Sequence, residues 1–322
     1  MPHPAPSAAS SAFPNAALPF APVLGHRPQR LIGRNQELSD FLAQIQAPPQ
    51  TAGGIAGKHR QKTTLISGGK GMGKTALLLE LCDWAANAGY AVLRPAADQD
   101  AAADLIFHSQ NGPTLVAVDD VTTASASLRH LASAYFSLLA EGRNVALVLA
   151  GPPVPFRKAL TDSVLSRLKL GTRVELGPLP AGAVQARLQQ ALPQDENAAS
   201  AHDLATATQG HPLLLQMIGF YLSSGNSAAD ALAFAQADFS DAVLRPLLAG
   251  LSPIDLEFLR AMTPDAGPTS VRDLRERTGW TDNYLQPYRA RLINAGVIVA
   301  PRRGCVAFSQ PFFRELLASE PL

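Results

Sequence analysis

The chain has 322 residues, material for about two or three compact units, with 47% hydrophobic and 16% charged positions. A net charge of +1 makes no case for a polyanion-binding surface, and two distant cysteines, Cys82 and Cys305, support neither a disulfide framework nor a metal site. No run approaches the ~20 apolar residues of a membrane helix. The N-terminus lacks the basic region of a signal peptide, so the expected location is the cytoplasm.

Residues 1–28, rich in Pro and Ala, read as a disordered tail, most plainly over 1–22. An α/β unit is expected over 29–179. Leu31-Ile32-Gly33-Arg34 leads into a helix that ends near Ile45, and 48–57, rich in Pro, Gly and Ala, reads as a loop. The β-branched, apolar stretch 62–67 reads as a strand and the Leu/Ala-rich stretch 76–88 as a helix. Between them stands Gly68-Gly69-Lys70-Gly71-Met72-Gly73-Lys74-Thr75, with the spacing G-x-x-x-x-G-K-[ST]. In that context the glycines let backbone N–H groups turn inward around a polyphosphate, and the following helix adds its positive end. Residues 68–76, Ala76 included, are the expected cradle. Lys74 can reach the β- and γ-phosphates and Thr75 can hold Mg²⁺.

Strand 90–94, a short helix 100–109 and strand 114–120 follow. The last of these, TLVAVDD, is apolar on both faces like a central parallel strand and ends in two carboxylates. Asp119 can hold Mg²⁺ and Asp120 can orient the attacking water. Helix 125–141, strand 145–150, helix 157–170 and strand 173–176 complete a parallel three-layer α/β sheet.

Beyond residue 179 the pattern is helical. Helices at 181–192, 198–208, 212–223 and 228–237 read as a lid over 180–248. In 249–322 three helices (253–262, 270–278, 281–295) precede two short strands, 297–300 and 305–308, around Pro301-Arg302-Arg303-Gly304, the order of a winged helix. A helix over 311–318 closes the chain. In helix 281–295, Leu285, Tyr288 and Leu292 form the buried stripe, while Arg291 is the one cation of the opposite face. Pro287 is expected to break or bend this helix.

These residues resemble a AAA+ or STAND-type P-loop ATPase, close to the bacterial and archaeal relatives of the origin-recognition ATPases. The resemblance covers the chain from about Arg30. It rests on Gly33-Arg34 with Glu37, the phosphate loop, Asp119-Asp120, Ala150-Gly151, Leu176-Gly177-Pro178-Leu179, Gly210-His211-Pro212 and the C-terminal pattern. It implies ATP and ADP as ligands, Mg²⁺, hydrolysis and assembly into a homo-oligomer. It places Ile32, Gly33 and Arg34 beside the adenine, although an ordinary helix start reads equally well. It brings His211 and Pro212 to the phosphates, with His211 as a γ-phosphate sensor or a capping residue. It offers Arg167 as an arginine finger or as a solvated helix residue. Asp120 stands where glutamate is common, which implies slow turnover, and Ala150-Gly151 stand where a polar sensor is usual. Three functions remain open: a nucleotide-dependent switch or assembly module, a DNA-loading ATPase with weak contacts from Arg291, Arg302 and Arg303, and a nucleotide-binding regulator without turnover.

Overall fold

The computed structural model describes residues 20–47, 61–192 and 198–319. The loop expected at 48–57 and the tail over 1–19 lie outside these residues. Among the described residues no helix is long and apolar enough to cross a membrane.

A five-stranded parallel sheet forms the first unit, from β1 (Thr63–Gly68), β2 (Ala91–Leu93), β3 (Thr114–Val118), β4 (Val145–Gly151) and β5 (Thr172–Leu176), in the order β2-β3-β4-β1-β5. Strand alternation divides its side chains between two cores. Ile66, Leu115, Ala117, Ala146 and Val148 face α1 (Asn35–Gln46) and α2 (Lys74–Asn87). Leu65, Val116, Val118, Leu147 and Leu149 face α3 (Ala102–Asn111), α4 (Ala126–Ala140) and α5 (Pro153–Ala159). Both sheet faces are covered, which is why β3 and β4 are buried along their whole length.

The helix expected over 157–170 is two pieces. α5 starts earlier, with Pro153 in the first turn where a missing N–H costs nothing. It ends at Ala159, and a 3₁₀ segment, Leu165–Leu170, follows. Asp162 explains the break, because its Oδ1 accepts from the N–H groups of Val164 (2.9 Å) and Leu165 (3.3 Å) and so caps the second piece.

The remainder is built from α6 (Ala181–Gln189), α7 (Ala198–Thr208), α8 (Pro212–Ser223), α9 (Ala228–Phe239), a π-helical turn (Ser240–Leu244) and α10 (Arg245–Leu248), then α11 (Pro253–Met262), α12 (Val271–Thr278), α13 (Asp282–Asn294) and α14 (Phe313–Ser319). The π turn and α10 were not expected. β6 (Thr269–Ser270), β7 (Ile298–Val299) and β8 (Cys305–Phe308) form an antiparallel sheet, order β6-β8-β7, so the two expected strands gain a third. Residues from Leu179 to Leu317 share one hydrophobic core, so the boundary expected at 248/249 is not a break in packing. α13 continues through Pro287: residue 287 and Asn283, whose carbonyl loses its partner, are both exposed to water.

β4 lies between β1 and β3, with Ser67 beside Gly151 and Val118 beside Leu149, so β3 ends two residues short of β4. The loop leaving β3 folds back over the end of β4, where Val121 N–H donates to Ala150 O (2.8 Å). A Cβ at residue 151 would overlap the Val121 carbonyl and press on Phe156. Gly151 therefore makes room for the loop that presents Asp119 and Asp120, and this crowding explains why β4 ends without a polar side chain. Gly151→Ala is expected to destabilise the protein by about 1–3 kcal/mol, as overpacked sites do, measured as a lower urea midpoint. An unchanged midpoint would show that the loop is not held against β4.

Candidate functional site

The phosphate loop leaves β1 at the carboxyl edge of the sheet, where open α/β sheets bind ligands. Gly71 and Gly73 take φ of 76° and 87°, a region that glycine enters without steric cost. The loop borders a cavity of about 450 Å³, a volume suited to a small ligand. Lys70, Gly71, Met72, Gly73, Lys74, Thr75 and Ala76 line it, together with Asp119, Asp120, Ile32, Arg34 and Pro212. Side chains more than forty residues apart in sequence thus converge on one space.

Within it Thr75 Oγ1 donates to Asp119 Oδ2 at 2.5 Å, and Asp119 Oδ1 accepts from Asp120 N–H at 2.8 Å. Asp120 has a φ of 52°, a conformation that aspartate tolerates better than most residues. The strained turn leaves its carboxylate exposed beside that of Asp119. Lys74 Nζ donates to Gly68 O and Gly69 O, both at 3.0 Å. Burial holds its pKa below the usual lysine value, with Asp119 and Asp120 opposing the shift. The hydroxyl–carboxylate pair is a hard oxygen donor set and fits a magnesium ion.

Several expected residues stand elsewhere. Gly68 and Gly69 lie outside the cavity lining and serve through their carbonyls. Gly33 is also outside it: with φ of 64° it packs on Pro180 and Leu179. Arg34 lines the cavity but is only 7% exposed, donating to Gly177 O (2.6 Å) and pairing with Glu37 (3.4 Å). Desolvation lowers its pKa, and Glu37 opposes the shift. Its connections tie the start of α1 to the exit of β5. Arg167 is an exposed residue of the 3₁₀ segment, with its guanidinium 3.9 Å from the Phe136 ring centre, outside this cavity. Lys70 sends its ammonium away from the loop to Ala242 O in the π turn (2.7 Å).

His211 lies behind the loop rather than in the cavity, 3% exposed. Its Nδ1 accepts from Leu214 N–H at 3.4 Å and caps α8. That assignment leaves Nε2 to donate to Lys70 O, 3.1 Å away. Gly71 must be glycine here, because a Cβ would overlap the His211 ring. Gln310, buried after β8, completes the contact from the C-terminal side.

The sequence reading missed residues 21–30. Expected in the disordered segment 1–28, residues 20–28 are ordered: Phe20 is buried, and Ala21, Val23, Leu24, Gly25, His26, Pro28 and Arg30 line the cavity. The apolar residues here are irregularly spaced between prolines, so no helix or strand period signals burial. Leu213 and Gln216 of α8 were missed as well.

The fold has solved counterparts. The chain is similar to the Walker-type ATPase PABY2304 of Pyrococcus abyssi, with 16% identity, 91% of this chain and 97% of that chain covered, and a TM-score of 0.67. It is also similar to the Aeropyrum pernix ORC2 protein in its ADPNP–ADP complexes, with 14% identity, 91% and 93% coverage and a TM-score of 0.59. A family model described as a domain of unknown function (DUF8462) matches residues 241–317. No curated protein matches the chain. The chain has the fold of an ORC-like AAA+ P-loop ATPase.

Burial lowers the His211 pKa to about 4, against ~6.5 for an unperturbed histidine. The folded protein therefore holds this imidazole neutral through a range where the unfolded chain takes up a proton. Stability is intact above pH ~6.5 and falls as pH drops from there towards 4, by an amount on the order of 3 kcal/mol from this group. Urea unfolding at pH 7 and pH 5 measures it. His211→Gln is expected to flatten the decline; an equally steep decline in that variant would assign it to other groups.

Proposed function

We propose that this protein binds ATP with Mg²⁺ in the cavity bordered by the phosphate loop and hydrolyses it slowly, as a nucleotide-dependent switch or assembly module. The Thr75–Asp119 pair at 2.5 Å carries this reading, with Lys74 and Asp120 on the same cavity. The ADPNP–ADP complexes of the similar Aeropyrum pernix ORC2 protein add support for an adenine nucleotide.

The loop N–H groups and the start of α2 take the phosphates. Lys74 places its charge against the β- and γ-oxygens, where negative charge spreads during phosphoryl transfer. Thr75 and Asp119 would hold the magnesium ion, which would neutralise negative charge on the phosphate oxygens. Asp120 orients the water that attacks the γ-phosphorus. Arg167 serves such a site only across a contact between copies, and Leu170 beside it is 82% exposed. Beyond Ala76, α2 supports the loop without lining the cavity.

DNA reading is the weaker alternative. Arg291, the cation of the exposed α13 face, is committed within the protein: Nε donates to Asp255 Oδ1 (2.9 Å) and Nη2 to Ser252 Oγ (2.8 Å). Arg302 and Arg303 remain at the β7–β8 turn, too few phosphate contacts for a steep salt dependence.

Lys74→Ala is expected to weaken MgATP binding at least tenfold, about 1.4 kcal/mol, by calorimetric titration. Unaltered affinity in a folded variant would remove the ligand from this loop. Asp120→Asn is expected to retain binding and to slow steady-state phosphate release about a hundredfold, the scale of a lost general base. Equal rates for wild type and variant would take the water-orienting role away from Asp120.

A further inference from the structure

The cavity lining has two characters: the polar loop with Asp119, and the apolar residues Val23, Leu24, Pro28, Leu31, Ile32 and Leu213, which suit the base of a nucleotide whose phosphates lie on the loop. Much of that wall is the segment 20–30, which crosses the cavity between two attachments. At its start Phe20 is 3% exposed, with its ring against Gly219 of α8, where a Cβ would overlap it. The Arg187 guanidinium of α6 lies 4.3 Å from the ring centre, and Ala21 N–H donates to Gln216 Oε1 at 3.0 Å. At its other end Arg27 pairs with Asp83 and, at 3.5 Å, with Glu80 on α2.

The two attachments are unequal. Arg27 and its partners are solvent-accessible, and exposed ion pairs contribute little. A buried phenylalanine between a glycine and a guanidinium is the larger contribution. Helix geometry connects this socket to the ligand. Pro212, Gln216 and Gly219 are spaced i, i+4, i+7 and share one face of α8. That face borders the cavity at Pro212, holds the segment's backbone at Gln216 and seats Phe20 at Gly219.

We propose that residues 20–30 are a strap that gates the base end of the nucleotide cavity, with Phe20 as its latch in a socket built by Gly219 and Arg187. The proposal rests on the nucleotide reading above. Exchange of nucleotide requires the ring to leave its socket, so the latch sets the rates of entry and exit more than the affinity.

The test is stopped-flow binding and release of methylanthraniloyl-ADP with Mg²⁺, using the full chain. Phe20→Ala removes the latch. Gly219→Ala keeps the identity of Phe20 and of every cavity residue but fills the socket and displaces the ring, and alanine suits a helix interior better than glycine. Both variants are expected to speed release at least tenfold and to speed association as well, with the equilibrium constant moving less than either rate. A cooperative thermal transition establishes that each is folded. Lys74-dependent binding in wild type with both rates unchanged in the folded variants overturns the strap and spares the nucleotide reading. Faster release with unchanged association makes the segment a binding wall and overturns the gate. Wild-type binding that is absent, or that persists fully in Lys74→Ala, overturns the nucleotide reading and the strap with it.

Discussion

A single neutral imidazole joins the two halves of this protein. His211 accepts a backbone proton from the first turn of α8 and gives its own to the carbonyl of Lys70. Each contact fixes the tautomer that the other needs. The ring has no room for a charge, being buried between Gly71 and the edge of Phe239, whose ring centre is 4.8 Å away. Because the contact is to backbone, the position of the phosphate loop and that of α8 are one variable. A ligand that moves the loop must move the helix or break the bond.

The helix in turn is not free to move alone. α8 packs within the core that runs on through Phe258, Leu285 and Phe313 to the C-terminal helix. Lys70 adds a second tie, through its ammonium to Ala242 O in the π turn. A π turn widens the helix and leaves carbonyls without their usual partners, which makes it a natural acceptor for a distant lysine. Gln310 approaches Gly69 from beyond β8. The C-terminal residues therefore sense the loop by packing and backbone contacts, without entering the cavity.

The parts of the site legible in the sequence were those whose chemistry demands a local pattern. The loop motif needs its glycines at fixed spacing, and the carboxylates must follow a buried strand, so Lys74, Thr75, Asp119 and Asp120 could be read from one dimension. The order of strands and helices followed from the alternation of apolar periods. What escaped depends on distant partners. Gly33 and Arg34 look like base contacts but pack on Pro180 and bind Gly177 O. Of the two roles the sequence left open for His211, its place behind the loop and its bond from Leu214 N–H match the capping one. Arg167 stacks on Phe136, which precedes it by 31 residues. The segment 20–30 carries no period at all, and only the groove between α6, α8 and α2 gives it a shape.

The same logic bears on what the C-terminal helices can do. Arg291 is held by Asp255, which is 2% exposed and which also closes the capping box at the start of α11. A buried carboxylate left without its guanidinium would cost far more than a surface charge, so Arg291 is tied to the fold. Arg277 is similarly bound to Asp265 through both terminal nitrogens, and Arg275 to Asp282. These three cations fix α11, α12 and α13 to one another. A unit so internally paired, sharing one core with α8, leaves these three arginines no freedom to follow a phosphate backbone without giving up contacts of the fold.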